Sequence, residues 1–393
     1  MMRALNAVVP HLAERDLLPI LIHDSLENGN AITLWRMPDS NEKHLLICSE
    51  GVNQVDKIIL EDSKTGFVFA PFDNRRKKVF FRGDLILTFK NGTLESDNLP
   101  ERYVRKPDFA GKAETIRDGR FPALPVSPSI SNDYLTLVKK SVETIKTGVL
   151  EKVVPSRFKE FELPEEFDVI KIFHKLCDAY PDAMVSLVSS EETGTWLGAT
   201  PELIVSLDEQ SQFRTAAVAG TKLHRPGMDL KSVAWTEKEI EEQALVSRYI
   251  VNCFNKIRLT DYEEHGPRTS VAGNLLHLKT EYNVDLKAVD FPQLGSVMLD
   301  LLHPTSAVCG MPLEKAQEFL KAHEGYDRQF YSGYLGPVNF KNESHMFVNL
   351  RCLQLFPKKA IVYAGAGVTI DSIPEKEWEE TEMKFDTLLS VIA

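Results

Sequence analysis

The 393-residue chain is poor in the features that mark metal clusters, export or nucleic-acid binding. Its five cysteines (Cys48, Cys177, Cys253, Cys309 and Cys352) are scattered and form no CxxC pair, which argues against a zinc site and against a disulfide framework. A reducing, cytoplasmic setting is the expectation. Basic residues are in deficit: 46 Lys and Arg against 57 Asp and Glu leave a net charge of −11, which excludes nonspecific nucleic-acid binding through a basic surface. Long apolar runs are missing too. Leu17 to Ile22 is too short for a signal core or a membrane span, and Arg3, Glu14, Arg15 and Asp16 break up the residues around it, so neither export nor a membrane partner is expected. No internal repeat or low-complexity tract is present. What remains, at 43% hydrophobic and 26% charged, is an ordinary globular composition with ample material for a core, in two domains or one large α+β unit.

Along the chain, residues 1–24 predict an amphipathic helix interrupted at Pro10. Short apolar runs follow at Ile32–Trp35, Leu45–Cys48, Val55–Leu60, Gly66–Phe72 and Val79–Phe89, separated by turn residues as in an antiparallel sheet. This β-rich portion (1–106) is expected to belong to the same domain as residues 131–393, with a Pro- and Gly-dotted connector over 107–130. Asn132 and Asp133 can cap a helix that presents Leu135, Val138, Val142 and Ile145 on one face and stops at Gly148. A strand is predicted over Val149–Arg157, where Val149, Leu150, Val153 and Val154 surround Lys152. Such a lysine usually snorkels to solvent; buried, it loses basicity and becomes a candidate base.

Pro201 cannot sit inside a paired central strand, so Glu202 belongs at the mouth of the run Leu203–Leu207, which the Asp208–Ser211 turn joins in a hairpin to a run ending at Ala217–Thr221. Thr236 and Glu239 form a capping box opening a helix to about Ile257, whose first turns are crowded with Glu237, Glu239, Glu241 and Glu242. After His303-Pro304-Thr305, Pro312 starts a helix with Leu313, Ala316, Phe319 and Leu320 inward.

The stretch around which the chain is organised is Tyr363–Lys384. A β-prone run meets Gly365-Ala366-Gly367, a sharp turn that offers backbone N–H groups to an anion. Ser372, Pro374 and Glu375 predict a capping box for a helix running to about Ile392. Trp378, Phe385, Leu388, Leu389 and Ile392 are expected to face inward, with Glu377, Glu380 and Lys384 on a neighbouring stripe. Alone, that stripe is an ordinary solvated face.

Eight blocks in one order change that reading. With the C-terminal stretch come LEKVVPSR (150–157), GATPEL (198–203), AVAGT (217–221), EEQALV (241–246), LHPTSAVCG (302–310), YSGYLG (331–336) and NLRC (349–352). Together they resemble the chorismate-utilising enzymes, over roughly Tyr134 to Ala393. The resemblance implies a single large α+β domain with extensive, mostly antiparallel sheets flanked by helices around a central cleft. It implies chorismate as substrate and Mg2+ as cofactor, held by Glu242 and Glu380. Since chorismate is a dianion and the protein is acidic, local positive charge or a metal is required.

By the same resemblance Lys152 is the base that activates water, and Glu202 the acid that assists departure of the C4 hydroxyl. Tyr331 and Arg351 are the clamp for the enolpyruvyl carboxylate; Thr221, His303, Ala307, Gly365, Gly367 and Lys384 complete the substrate site. The activity implied is isochorismate synthase. Ala219 stands where one type of aminodeoxychorismate synthase carries a nucleophilic lysine, Ala307-Val308 is the small apolar pair of isochorismate-type members, and no glutaminase partner is expected. Salicylate synthase, which goes on to eliminate pyruvate, is the nearest alternative, and a noncatalytic chorismate sensor the more distant one. Gln243 departs from the histidine common at its place. The resemblance leaves open a monomer or a homodimer, and a menaquinone or a siderophore pathway.

Overall fold

The computed structural model describes residues 13–95, 99, 122–123, 133–225, 227–272 and 275–392. The break at Pro10, the cap at Asn132 and nearly all of the 107–130 connector lie outside the described residues.

Among the described residues the backbone forms two nine-stranded antiparallel sheets and a small third one. In spatial order the first runs Thr93–Leu94, Leu85–Lys90, Glu42–Cys48, Ala31–Arg36, Met184–Ser190, Gly194–Thr200, Cys352–Phe356, Lys359–Gly365 and Ser156–Glu162. The second runs Glu263–Ala272, Leu275–Asp285, Gln212–Leu223, Leu203–Leu207, Ser344–Val348, Tyr334–Val338, Gly66–Ala70, Lys78–Arg82 and Asn53–Val55. The expected runs of the first hundred residues are therefore shared between two sheets rather than collected in one. Val55–Leu60 is a strand only at its start, Asn53–Val55, and Val79–Phe89 divides at Gly83-Asp84, where the Gly83 N–H turns to the Thr65 carbonyl (3.0 Å).

Strand periodicity explains the layering. In Ala31–Arg36 every residue is buried, yet Ile32 and Leu34 join a cluster with helix residues Leu18, Phe173 and Phe385, while Ala31 and Trp35 face the other sheet. Trp35, Phe67, Phe69, Trp196 and Tyr363 fill the space between the sheets, with the Trp35 and Phe67 rings 5.3 Å apart. On the outer face of the second sheet, Leu245, Val246 and Ile250 of the helix Glu237–Lys256 and Met298 and Leu299 of the helix Leu294–Leu302 form a separate cluster. The result is a mixed α+β domain of two large sheets with helices outside both. Truncating Phe385, which is 1% exposed, would cost about 3–5 kcal/mol.

Local signals behave as their chemistry requires. Asp133 accepts the Thr136 N–H at the start of the helix Tyr134–Lys146, and Gly148 follows with φ +78°. The Thr236 capping box is present, its N–H donated to Glu239 Oε2 at 2.7 Å. The C-terminal helix differs. It spans Pro374–Ile392, placing Ile373 at the cap position, while the Ser372 hydroxyl accepts the Thr369 N–H (3.1 Å) instead of capping the helix. Trp378 is 40% exposed, with the Arg157 guanidinium stacked over its ring at 4.9 Å, and Glu377, expected on an outer stripe, is buried at 1%. The two residues thus exchange their expected places, because Lys238 on the neighbouring helix draws Glu377 inward (2.5 Å) and Arg157 covers the indole from outside.

The predicted strand 149–157 is likewise two pieces. Lys152–Val153 pairs with Gly310–Met311 as a small third sheet, and Ser156–Glu162 joins the first large one. A Cβ on Gly310 would lie 2.3 Å from the Lys152 carbonyl, so this approach admits only glycine.

Candidate active site

The cleft opens where the three sheets meet. Tyr363, Ala364 and Gly365 come from the first, Val218–Thr221 and His277 from the second, and Lys152 from the third. Of the twelve residues singled out in the sequence, Lys152, Glu202, Thr221, Glu242, Ala307, Tyr331, Arg351, Gly365, Gly367, Glu380 and Lys384 line it.

Lys152 does not snorkel. It is 2% exposed, inside the chain's fold, although Val149 nearby is half exposed. Burial pushes its basicity down, and Lys384 adds to this; Glu242, Glu202 and Glu380 oppose it. Gly367 makes the room: a Cβ there would stand 3.0 Å from Lys152 Cε, 3.4 Å from Nζ and 3.6 Å from Glu242 Cδ. Any larger residue at 367 would press on the amine and the carboxylate together.

Glu202 sits just before the strand Leu203–Leu207, as Pro201 requires. Its backbone is fixed by the Val348 N–H, which donates to the Glu202 carbonyl at 2.9 Å. Among the described residues the carboxyl group receives one long bond, from the Thr305 hydroxyl at 3.4 Å. Burial raises it to about 7, against the pull of Lys152, Arg351 and Lys384. A carboxylic acid that keeps its proton near neutral pH can donate it.

On the two acidic helices the balance differs between neighbours: burial raises Glu242 and Glu377 despite Lys238, while Glu380 is lowered. Lys384 Nζ donates to Glu380 Oε1 and to the Gly365 carbonyl, each at 2.7 Å. Burial alone would raise Glu380, but Lys384, Lys238 and Arg351 outweigh it and hold the carboxyl below its usual range. Lys238 lies 3.5 Å from Glu242 Oε1 and 2.5 Å from Glu377 Oε1. Arg351 enters from a left-handed backbone (φ +44°) between Ser344–Val348 and Cys352–Phe356, a conformation rare for a side chain of this size and concentrated at functional sites. Tyr331 stacks on Tyr363 with centroids 5.1 Å apart.

The chorismate-binding-enzyme family model matches residues 120–393, which is most of the chain and contains all of these side chains. The chain belongs to the chorismate-binding enzymes. It is 30% identical over 267 residues to an isochorismate synthase of Bacillus subtilis, covering 65% of this chain and 67% of that protein. It is 26% identical over 271 residues to anthranilate synthase component 1 of Thermococcus kodakarensis, covering 66% of this chain and 60% of that one. The fold matches the menaquinone-specific isochorismate synthase of Escherichia coli with a TM-score of 0.69 at 19% identity, covering 92% and 89% of the two chains.

This chorismate-binding enzyme departs from the expected site at one residue. His303 does not reach the cleft; its Nε2 lies 2.9 Å from the Pro71 carbonyl, its ring packs edge-on to Tyr334, and burial lowers it to about 4. The histidine of the cleft is His277, which the motif blocks do not include. Its Nδ1 lies 2.6 Å from the Gly220 carbonyl, and burial, with Arg351 and Lys384 adding to it, lowers the ring to about 4. A carbonyl only accepts, so the neutral imidazole carries its proton on Nδ1 and Nε2 is an acceptor. The glycine turn also offers fewer donors than expected, because the Ala366 N–H already bonds the Pro155 carbonyl at 3.3 Å.

Among the described residues, no three or more His, Cys, Asp or Glu side chains form a ready cage for a metal. The carboxylates nevertheless fit Mg2+, which takes few protein oxygens and keeps water and substrate oxygens around it. Glu242 and Glu380 line the cleft together, and the adjacent Glu377 has an Oε2 that is buried without a hydrogen-bond partner. Gln243, in place of the usual histidine, turns away and donates to Thr280 Oγ1 (2.6 Å).

Proposed function

We propose that this chorismate-binding enzyme is a Mg2+-dependent isochorismate synthase. The observation that carries the proposal is one cleft holding both a buried lysine of lowered basicity and a carboxylic acid raised to about 7. Allylic exchange of a hydroxyl needs such a pair. A water oxygen bonds to C2 as Lys152 takes its proton, the ring double bonds shift, and the C4–O bond breaks as Glu202 delivers a proton to the departing oxygen. One water enters and one leaves, so the protons balance once Lys152 and Glu202 have exchanged theirs with solvent.

Arg351 and Lys384 complement the two substrate carboxylates, Arg351 as a planar fork and Lys384 as a point charge. Glu242 and Glu380 would hold Mg2+, which when bound supplies the positive charge that lets a substrate carboxylate sit beside two protein carboxylates. Ala219 lines the same cleft and offers no amine, which supports water rather than a protein nucleophile. The test is incubation of the purified protein with chorismate and Mg2+ and chromatographic separation of the products. Isochorismate accumulating without pyruvate supports the proposal. Salicylate and pyruvate formed as fast as chorismate disappears would make the protein a salicylate synthase, and anthranilate formed with added ammonia would place it with that branch.

A further inference from the structure

Arg328 and Glu324 form a bidentate ion pair with Nε–Oε2 2.7 Å and Nη2–Oε1 2.6 Å, both residues 3% exposed. Neither lines the cleft. A buried pair pays a desolvation cost and is often no more stabilising than an apolar pair of the same volume, so its stability alone does not explain it. Its remaining hydrogen bonds do. Arg328 Nη1 donates to the Val308 carbonyl at 2.9 Å and Nη2 to the Val154 carbonyl at 2.7 Å. Val154 directly follows the short strand that carries Lys152, and Val308 adjoins Ala307. Glu324 Oε1 meanwhile accepts both the N–H and the hydroxyl of Ser156, 2.7 Å each, at the start of the next strand. The guanidinium plane lies over the Phe72 ring at 4.3 Å and 5.7 Å from that of Tyr331.

We propose that Arg328, oriented by Glu324, is a positioning residue. It fixes the spacing between the strand bearing Lys152 and the Ala307-Val308 wall of the cleft, and so the approach of the amine to the substrate ring. The strand needs such a fastening because it is only two residues long and, beyond its pairing with Gly310–Met311, is held by an isolated bridge between Val153 and Val368. The guanidinium suits the task because one planar group meets a carboxylate and two carbonyls in fixed directions, which an ammonium cannot do. The proposal rests on the assignment of Lys152 as base.

The test compares Arg328→Lys, Arg328→Met and the double variant Arg328→Met/Glu324→Leu with the wild type. Displacement of a reacting group by about 1 Å can cost on the order of 100-fold in rate, so kcat should fall roughly 10- to 100-fold in all three, with KM for chorismate changed less than about threefold. The double variant, freed of a buried unpaired charge, should regain thermal midpoint without regaining kcat. If kcat returns with the midpoint, or never falls, the pair is structural and the proposal is overturned. Should Arg328→Met fail to fold, Arg328→Lys and the double variant still decide.

A readout independent of turnover is amide exchange. The N–H groups of Glu151, Val153 and Val154 bond the carbonyls of Met311, Val368 and Cys309. In Arg328→Lys they should exchange faster while amides of the helix Glu237–Lys256 do not. Equal acceleration in both places would show global loosening and contradict the proposal. The product made by the wild type decides the isochorismate assignment separately, and if it is a different product, kcat for that reaction is read instead.

Discussion

The two ends of the cleft use the same side chain for opposite tasks. Glu202 and Glu380 are both glutamates partly shielded from solvent, yet Glu202 is raised to about 7 while Glu380 is held below its usual range. Their partners make the difference. Among the described residues Glu202 meets a threonine hydroxyl at 3.4 Å and no nearer donor, whereas Glu380 meets the Lys384 ammonium at 2.7 Å. Burial favours the proton on both, and only at Glu380 of the two does a bonded ammonium outweigh it; at Glu242 and Glu377 burial prevails even beside Lys238. In the proposed reaction the first end is a proton donor and the second a binding site for cations and the carboxylates they hold.

The comparison breaks most completely at the second end. Glu380→Gln should reduce turnover to background, and addition of excess chelator to the wild type should do the same. Circular dichroism should show the fold retained, and the stabilisation of the thermal midpoint by Mg2+ should disappear in the variant. Full turnover in chelator would remove the metal from the account. Next, Lys152→Ala should lose roughly 10²-fold or more in kcat while chorismate binding, followed by calorimetry, survives.

The chemistry of Lys152 is partly legible in sequence. From its neighbours alone Lys152 reads as a snorkelling lysine that becomes a candidate base if buried, and it is the order of the motif blocks that brings it to the cleft with Glu202, Glu242 and Glu380. Strand type and the capping of the helix at Thr236 are legible for the same reason: each depends on residues close in sequence. His277 is not. It lies in a long strand between Leu276 and Leu278, and only the register of that strand against Val218–Gly220 carries it to the cleft. His303 failed in the opposite sense, since a loop histidine beside proline gave no sign that the Pro71 carbonyl would claim it. Glu377 and Trp378 exchanged places because the partners that decide their orientation, Lys238 and Arg157, come from other elements.

A smaller effect is expected at the clamp. Arg351→Lys should weaken chorismate binding by about tenfold, the loss appearing in KM more than in kcat, because a lysine keeps the charge and loses the fork. Unchanged affinity would show that Arg351 does not grip a carboxylate with both arms.

The smallest and most specific effect concerns pH at the first end. Glu202 has an ordinary value of 4.5 and is raised to about 7 when folded. Between those values the folded protein holds a proton that the unfolded chain has released, so this group's contribution to stability falls as pH rises from about 4.5 to about 7. The thermal midpoint of Glu202→Gln should show a shallower decline over that window than the wild type. Its residual rate should also lack the fall above pH 7 that loss of the acid's proton gives the wild type. Identical midpoint profiles would mean that Glu202 is already ionised at low pH and cannot be the acid.

The claim that one water enters at C2 as another leaves from C4 is tested most directly by turnover in water enriched in the heavy oxygen isotope. The account predicts isochorismate carrying one solvent oxygen at C2, formed in step with chorismate loss and with no pyruvate released. Isochorismate that retains only the oxygens of chorismate, or a product that contains no new hydroxyl, would contradict it.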